Sequence, residues 1–194
     1  MIISFDKTCQ VWQTAADPND EYAAEALRHI LVEVRGRLAS ADGFMLSLVP
    51  CSIHWDDGEK REPVAIEATM FKLAASNAGK SPTATIFVKA GKATVNCKRH
   101  KAVSDVWTGE YPDYKKLFPD TLQGALDSQS LDAELTLKLA KAMGTTMLTY
   151  IFSGPDRPVV CLPLSSPVDA VGLIMPIASN RSESPQDAAN RRLA

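Results

Sequence analysis

The feature that most constrains the fold of this chain is a recurring order of predicted elements, in which a strand and a helix are followed by a hairpin. The order occurs three times, with helices predicted to begin at about residues 20, 69 and 131. A pattern that repeats in this way indicates supersecondary units that pack on one another to bury their apolar faces. Helices separated by hairpins favour an α+β fold, with the helices on one face of antiparallel sheets.

Turn residues support the predicted hairpins. Asp42-Gly43 separates two runs of alternating apolar residues, and Ala90-Gly91-Lys92 separates two others. Glycine accepts the positive φ that tight hairpin turns require, and Asp-Gly is a strong hairpin signal. We therefore predict hairpins at both positions and a third hairpin over residues 145–164.

The helix predicted from about residue 131 is the best-specified element. Ser130 is a candidate N-cap, and Asp132 and Glu134 suit the positive end of the helix dipole. Gly144 is a candidate stop signal. The apolar stripe of this helix consists of Leu131, Leu135, Leu139 and Met143. A strand is predicted before it over residues 124–129, and a last strand over residues 170–177.

Composition limits the classes of function. The 194 residues, 45% of them apolar, suit one domain or slightly more with an ordinary core. Lys and Arg number 21 against 23 Asp and Glu, so contact with a polyanion depends on local placement of charge. No apolar run has the length that a bilayer requires, and the start does not resemble a signal peptide. These observations predict a cytoplasmic protein with no membrane partner.

Signals for catalysis or metal binding are weak. The cysteines at positions 9, 51, 97 and 161 form no CxxC pair, which argues against a zinc site and favours a reducing compartment. The three histidines lack ligand spacing. The segment "AGKS" (78–81) resembles the end of a phosphate-binding loop, but Ala74 stands where that loop needs glycine. We expect no enzymatic activity, no metal and no cofactor.

Four segments resemble a known family and occur in its order: "GRLASADGFMLSLV" (36–49), "GEYPDYKKLFPD" (109–120), "ALDSQSLDAELTLKLAKAMG" (125–144) and "VGLIMPIA" (171–178). The family is the bacterial sliding clamp, the β subunit of DNA polymerase III. Its ATDGHRLA signature resembles residues 39–46, its FPDY linker resembles residues 111–114, and its closing MPM resembles residues 175–177. The resemblance covers residues 1 to about 178.

The resemblance implies a domain organisation. A family chain has three domains of two half-units each, and two chains close into a ring around DNA. This chain resembles the middle domain (1–119) joined to a third half-unit (120–178), which matches the second half of the last domain. Residues 179–194 are predicted to be a disordered polar tail. Since three half-units per chain require four chains to supply the twelve of a ring, unpaired half-units of two chains could complete a shared domain.

The resemblance also implies a groove for short peptides. In the family, the signature hairpin, the domain linker and the last strand line an apolar groove that receives peptides from polymerases, the clamp loader and repair proteins. The matching positions here are Asp42, Gly43, Phe44, Met45, Leu46, Pro112, Lys116, Leu117, Leu173, Met175, Pro176 and Ile177. Met adapts to varied partners and Pro keeps a strand end from pairing further, which suits such a site.

DNA contact is implied through basic side chains that meet the phosphate backbone without reading sequence. The candidates on helices are Lys72, Lys138 and Lys141, and those on a hairpin are Lys98, Arg99 and Lys101. Lysines on a helix face are also a common solvated surface, and Glu134 offsets Lys138 and Lys141 in part.

Two functions follow as expectations. The first is a sliding-clamp-like processivity factor, a homo-oligomer that binds duplex DNA without sequence specificity and recruits DNA polymerase, clamp-loader or repair proteins. The second is a non-encircling adaptor or decoy that captures clamp-binding peptides and does not retain DNA. A remnant with neither activity is a third interpretation. Oligomeric state and salt-sensitive DNA association discriminate among these.

Overall fold

A computed structural model describes residues 1–58, 60–118, 130–154, 157–164 and 168–177, which form two antiparallel sheets and two α-helices. The first sheet has the spatial order β5 (Ser52–His54), β1 (Ile2–Asp6), β7 (Thr83–Lys89), β8 (Lys92–Asn96) and β9 (Lys101–Asp105). The second has the order β10 (Leu148–Ile151), β11 (Val159–Pro163), β12 (Val171–Ile174), β4 (Met45–Pro50), β3 (Arg37–Ala41), β2 (His29–Glu33) and β6 (Val64–Glu67). The predicted α+β class is confirmed.

The first two half-units exchange strands. β1 opens the first half-unit but pairs with β7 of the second, and β6 opens the second half-unit but pairs with β2 of the first. Each three-stranded meander is therefore completed by a strand from the other half-unit. The exchange buries alternate residues of β2 and β7, including Ile30, Val32 and Ile86, so the two half-units share one core.

The helices differ in part from the predictions. α1 (Ala68–Asn77) packs on β7 and β8, and α2 (Ala133–Ala142) packs on β4 and on a short 3₁₀ helix, Val11–Thr14. The helix predicted from about residue 20 is wrong, because only a 3₁₀ turn, Glu25–Arg28, precedes β2. Too few residues separate the turns at 17–24 from β2 for a stable α-helix, and the 3₁₀ helix Val11–Thr14 packs against α1 and α2 instead.

The ends of α2 follow the predicted chemistry with one change of residue. Asp132, and not Ser130, is the N-cap, and its Oδ1 accepts hydrogen bonds from the backbone N–H groups of Glu134 (2.7 Å) and Leu135 (3.2 Å). Gly144 follows the helix with φ +66°, as a C-terminal stop requires. Leu139 and Met143 of the predicted stripe are fully buried, whereas Leu131 and Leu135 are half-buried.

The third half-unit joins the first through a strand seam. β12 pairs antiparallel with β4, in the register Val171 with Leu48 to Ile174 with Met45. The seam makes β10, β11 and β12 part of the same sheet as β4, β3 and β2. The strand predicted over residues 124–129 and the tail predicted over residues 179–194 lie outside the described residues.

Gly172 in β12 allows α2 to approach the seam. A Cβ atom at residue 172 would lie 2.6 Å from Leu139 Cδ1 and 2.8 Å from Leu139 Cδ2. Leu139 is fully buried, so its side chain has no free space into which it can move. Gly172 therefore allows the short distance between α2 and β12.

We predict that Gly172→Ala lowers the free energy of unfolding by about 1–3 kcal/mol, the usual cost of overpacking a core. Chemical denaturation measures the change. The control is the same substitution in a Leu139→Ala background, where the added methyl group occupies vacated space and should be neutral or stabilising. An equal loss in both backgrounds would contradict the contact as described.

Candidate functional site

The hairpin between β3 and β4 is held by its own first residue. Asp42 Oδ1 accepts hydrogen bonds of 2.9 Å from the backbone N–H groups of both Phe44 and Met45. Gly43 has φ +98°, a conformation that side chains disfavour. The result is a rigid turn that leaves the Phe44 side chain 64% exposed.

The chain leaves β12 alongside this hairpin. The Met175 N–H donates a 2.9 Å hydrogen bond to the Phe44 carbonyl, which extends the seam by one residue. Pro176 has no N–H to donate, so regular pairing stops there. The Ile177 N–H then bonds to the Ser130 carbonyl at 2.9 Å, next to the start of α2. Met175 is consequently fixed beside Phe44 with 40% of its surface exposed.

The linker that follows β9 lies against the same sheet. The Tyr111 hydroxyl is 3.3 Å from the carbonyl oxygens of both His29 and Ala39, on β2 and β3. A 3₁₀ helix, Tyr114–Leu117, follows and buries Tyr114. Tyr111 and Tyr114 thereby attach the linker to the outer face of the seven-stranded sheet.

These three segments enclose an apolar cavity of about 360 Å³. Of the predicted groove residues, the structure brings together Gly43, Phe44, Met45, Leu46, Pro112, Leu117, Leu173 and Met175. The other four do not line the cavity. The Asp42 carboxylate accepts hydrogen bonds within the hairpin turn, and Lys116 forms a surface ion pair with Asp113. Pro176 and Ile177 lie where the chain turns toward Ser130, before α2.

Six further residues line the cavity that were not among the predicted groove residues: Leu27, Ala41, Tyr111, Asp113, Tyr114 and Pro158. Three of them belong to the linker motif already quoted, and Ala41 lies within the hairpin signature, so those motifs contained the signal. Leu27 and Pro158 carry no such signal. They come from a 3₁₀ turn and from the β10–β11 connection, which only the tertiary fold brings to this place.

A charged contact holds the far side of the linker. Lys115 Nζ lies 3.1 Å from Glu33 Oε1 on β2. Burial alone would raise the pKa of the Glu33 carboxyl, but the Tyr114 hydroxyl, the Lys115 ammonium and Arg37 together hold this pKa below its ordinary value. The lowered pKa means that ionised Glu33 stabilises the folded state and the position of the linker.

We predict that Glu33→Gln lowers the free energy of unfolding at pH 7 by about 1 kcal/mol or less, since Lys115 is largely exposed. Because the folded-state pKa is depressed, the contribution of Glu33 is present above its unfolded pKa of about 4.3 and is lost as the pH falls through the folded value. Denaturation of both proteins at neutral and acidic pH should show the difference disappear in acid.

Glu62→Gln is the matched control, because Glu62 is exposed and pairs only with a neighbouring exposed lysine, Lys60. It should leave stability unchanged across the pH range. A pH-independent difference between the wild type and Glu33→Gln would contradict the electrostatic role of Glu33.

The predicted DNA-contacting residues fall into separate places. Lys72 on α1 and Lys138 on α2 line one cleft of about 450 Å³ on either side of the 3₁₀ helix Val11–Thr14. Lys98 and Arg99 lie in the turn between β8 and β9, and Lys101 begins β9. Lys141 lines a different concavity, near Gly144.

Acidic side chains reduce the positive potential of the Lys72 and Lys138 cleft. Asp17, Asp20 and Asp42 line the same cleft. Lys138 Nζ also lies 3.0 Å from Glu134 Oε1, an i,i+4 pair on α2. The cleft is therefore mixed in charge, and Lys72 in it is exposed.

Other classes of site have little support in the described part of the chain. No cluster of three or more His, Cys, Asp or Glu residues there could hold a metal ion. The four cysteines are free thiols, and burial raises the pKa of Cys9, Cys51 and Cys161 to about 12. Thiols of this kind are poor nucleophiles. None of the described helices is long and apolar enough to cross a bilayer.

The two sheets, the strand exchange and the seam define a DNA sliding-clamp fold. No protein-family model and no curated protein matches the sequence. Solved structures that resemble it include β subunits of DNA polymerase III. The one from Borrelia burgdorferi has a TM-score of 0.70 at 12% identity and covers 92% of this chain and 64% of its own.

Other bacterial clamps are equally similar. The DNA polymerase sliding clamp from Bacillus subtilis has a TM-score of 0.66 at 14% identity, covering 92% of this chain and 64% of its own. The Thermotoga maritima β subunit has a TM-score of 0.65 at 16% identity, covering 92% and 66%. This chain thus has the fold of the polymerase III β subunit and spans about two thirds of the length of these proteins.

Proposed function

We propose that this chain is a sliding-clamp-like processivity factor, which binds duplex DNA without sequence specificity as an oligomer and recruits a polymerase through its apolar groove. The clamp fold supports the class of protein. The observation that carries the proposal is the 360 Å³ cavity, which three distant segments of the chain build at one place. The proposal includes no catalytic activity and a cytoplasmic location.

The shape of the groove supports peptide binding. Pockets that take small ligands are mostly apolar, largely preformed and provided with a few orienting polar groups. Leu46 and Leu173 form a buried floor, while Phe44 and Met175 remain exposed at the rim. Exposed apolar side chains gathered at one concavity indicate an interaction site, and the flexible Met175 can adapt to different anchors.

We predict that Met175→Asp weakens binding of a short apolar peptide at least tenfold, or about 1.4 kcal/mol, because it places a carboxylate in an apolar cavity. The measurement is fluorescence anisotropy with a labelled peptide from a bacterial replicative polymerase that binds its own clamp.

Ile177→Asp is the control for this substitution. Ile177 is 52% exposed, lies two residues after Met175 and does not line the cavity. The affinity of Ile177→Asp for the peptide should therefore stay within twofold of wild type. Equal affinity of wild type and Met175→Asp would disprove the assignment of the groove. Equal losses in both variants would place the peptide elsewhere along the last strand.

DNA binding is proposed through the phosphate backbone. Lys72 lies on α1 beside the 3₁₀ helix Val11–Thr14, while Lys98, Arg99 and Lys101 form a short basic run at the end of the five-stranded sheet. Side chains of this kind bind phosphate without selecting sequence, which allows a protein to move along the duplex.

We predict that Lys72→Gln lowers duplex affinity similarly for unrelated sequences and reduces the salt slope, dlog K/dlog[salt], by up to about 0.9, the value for one phosphate contact. Filter binding or anisotropy over a salt series measures both. Lys60→Gln, which removes an exposed and paired lysine in a loop, should leave the slope unchanged. A slope for Lys72→Gln equal to that of wild type would remove Lys72 from the DNA interface.

A second candidate is a non-encircling adaptor or decoy that binds clamp-binding peptides without retaining DNA. The mixed charge of the Lys72 and Lys138 cleft favours it, since three aspartates there oppose phosphate binding and the whole chain has a formal charge of −2. Peptide affinity together with no measurable DNA binding at low salt would select this function over the first.

A further inference from the structure

Within the described residues, the third half-unit has an unpaired sheet edge, which its two relatives in the same chain do not have. β2 and β7 each begin a three-stranded meander and each pair on their outer side with a strand from the other half-unit. β10 begins the third meander and pairs with β11 on its inner side. Among the described strands, none pairs with its outer side.

The backbone of β10 is oriented to accept such a strand. The Leu164 N–H donates to the Met147 carbonyl at 3.0 Å, which makes this pair a hydrogen-bonded pair of the β10–β11 ladder. Hydrogen-bonded pairs alternate along an antiparallel ladder, so Thr149 and Ile151 also face β11. Leu148 and Tyr150 therefore direct their N–H and C=O groups toward the open edge.

Among the described residues, the core beneath this edge is less buried than the core beneath β2 and β7. The inward residues of the two completed strands are buried: Ile30 and Val32 in β2, and Ala84, Ile86 and Val88 in β7. The corresponding residues of β10, Leu148 and Tyr150, remain half-buried. Further apolar surface lies nearby, because Leu137 on α2 is 54% exposed and Met147 before β10 is 50% exposed.

Leu137 follows the residue of α2 that contacts β10. Thr136, its neighbour in α2, faces Tyr150 of β10. On the helix surface Leu137 also adjoins Ala133 and Ala140, three or four residues away. Glu134 and Lys141, which are also three or four residues away, border Leu137 on its other flank. Leu137 is therefore an exposed apolar side chain between two alanines and two charged residues.

We propose that a second copy of this chain covers this surface, so that two third half-units complete one shared domain across a two-fold axis. In each of the first two half-units, the meander gains a strand from the other half-unit, and this completing strand is the opening strand of that other half-unit. Each chain has three half-units, so the third has no partner half-unit in its own chain. Here a two-fold axis instead brings together the β10 edges of two copies, so that each edge covers the other. The seven-stranded sheet already crosses the seam between β4 and β12, and the new interface continues it past β10.

The composition of the edge favours a second copy. Exposed edge strands usually carry charges that prevent pairing. β9, at the edge of the other sheet, carries Lys101 and Asp105. β10 consists of Leu148, Thr149, Tyr150 and Ile151, without charge, so that two identical edges meet without like-charge repulsion. The inference rests on the proposed function in one respect, because it specifies the interface of the proposed oligomer. It depends on neither the peptide groove nor DNA binding, which separate measurements test.

The test compares the full-length wild type with Leu137→Glu. Sedimentation velocity over a concentration series should show a dimer of the wild type, with a dissociation constant raised at least tenfold by Leu137→Glu. Tyr22→Glu is the matched control, because it places the same charge at a residue that is 90% exposed and far from α2 in sequence. Dimerisation of Tyr22→Glu should equal that of wild type.

Amide hydrogen exchange by NMR then locates the interface. In the wild-type dimer the amides of Leu148 and Tyr150 should be protected, and in Leu137→Glu they should exchange rapidly. The amides of Thr149 and Ile151, which bond to β11, should stay protected in both proteins and so report that the fold is intact.

Three results would overturn the proposal. The first is a wild type that remains monomeric up to about 100 µM, because self-association would then be weaker than a specific dimer requires. The second is a dimer in which the Leu148 and Tyr150 amides exchange freely, because association then uses another surface. The third is protection of these amides in a monomer, because a segment of the same chain then covers the edge.

Discussion

Four residue pairs between β12 and β4 join the third half-unit to the first, and the groove depends on this seam. The seam places Met175 next to Phe44 and aligns Leu173 opposite Leu46, so that two walls of the cavity are set by one strand register. A slip of one residue would turn every side chain of β12 to the other face of the sheet. Gly172 keeps α2 close to this seam, which connects the core of the third half-unit to the position of its last strand.

The linker completes the groove by a different kind of contact. Its tyrosines bury apolar rings on the sheet while Lys115 pairs with Glu33, so the third wall is held by side chains and not by a strand ladder. Side-chain contacts of this kind allow more movement than a ladder does. The groove thus has two walls fixed by backbone hydrogen bonds and one wall held by side-chain contacts.

Charge is distributed in a way that separates two possible surfaces. The groove is lined almost entirely by apolar side chains, whereas the cleft between α1 and α2 contains two lysines and three aspartates. Phe44 lines both cavities and stands between them. The apolar side suits a peptide that is anchored by desolvation, and the charged side suits contacts that salt weakens. The open edge of β10 is a third surface, whose uncharged backbone groups and half-buried core side chains suit another half-unit.

The amino-acid sequence by itself determined the α+β class, the hairpin turns at Gly43 and Gly91 and the end of α2 at Gly144, because local periodicity and turn chemistry specify these features. It also indicated eight of the residues that line the cavity, through motifs that resemble those of the clamps. It placed a helix wrongly near residue 20, where local propensity favours helix but β2 begins too soon. It also placed Pro176 and Ile177 in the groove, although the chain turns toward Ser130 after Met175. Only the tertiary structure decided the strand exchange, the β4–β12 seam, the contributions of Leu27 and Pro158 and the open edge at β10. These depend on pairings between residues distant in the chain, which no local pattern of side chains encodes.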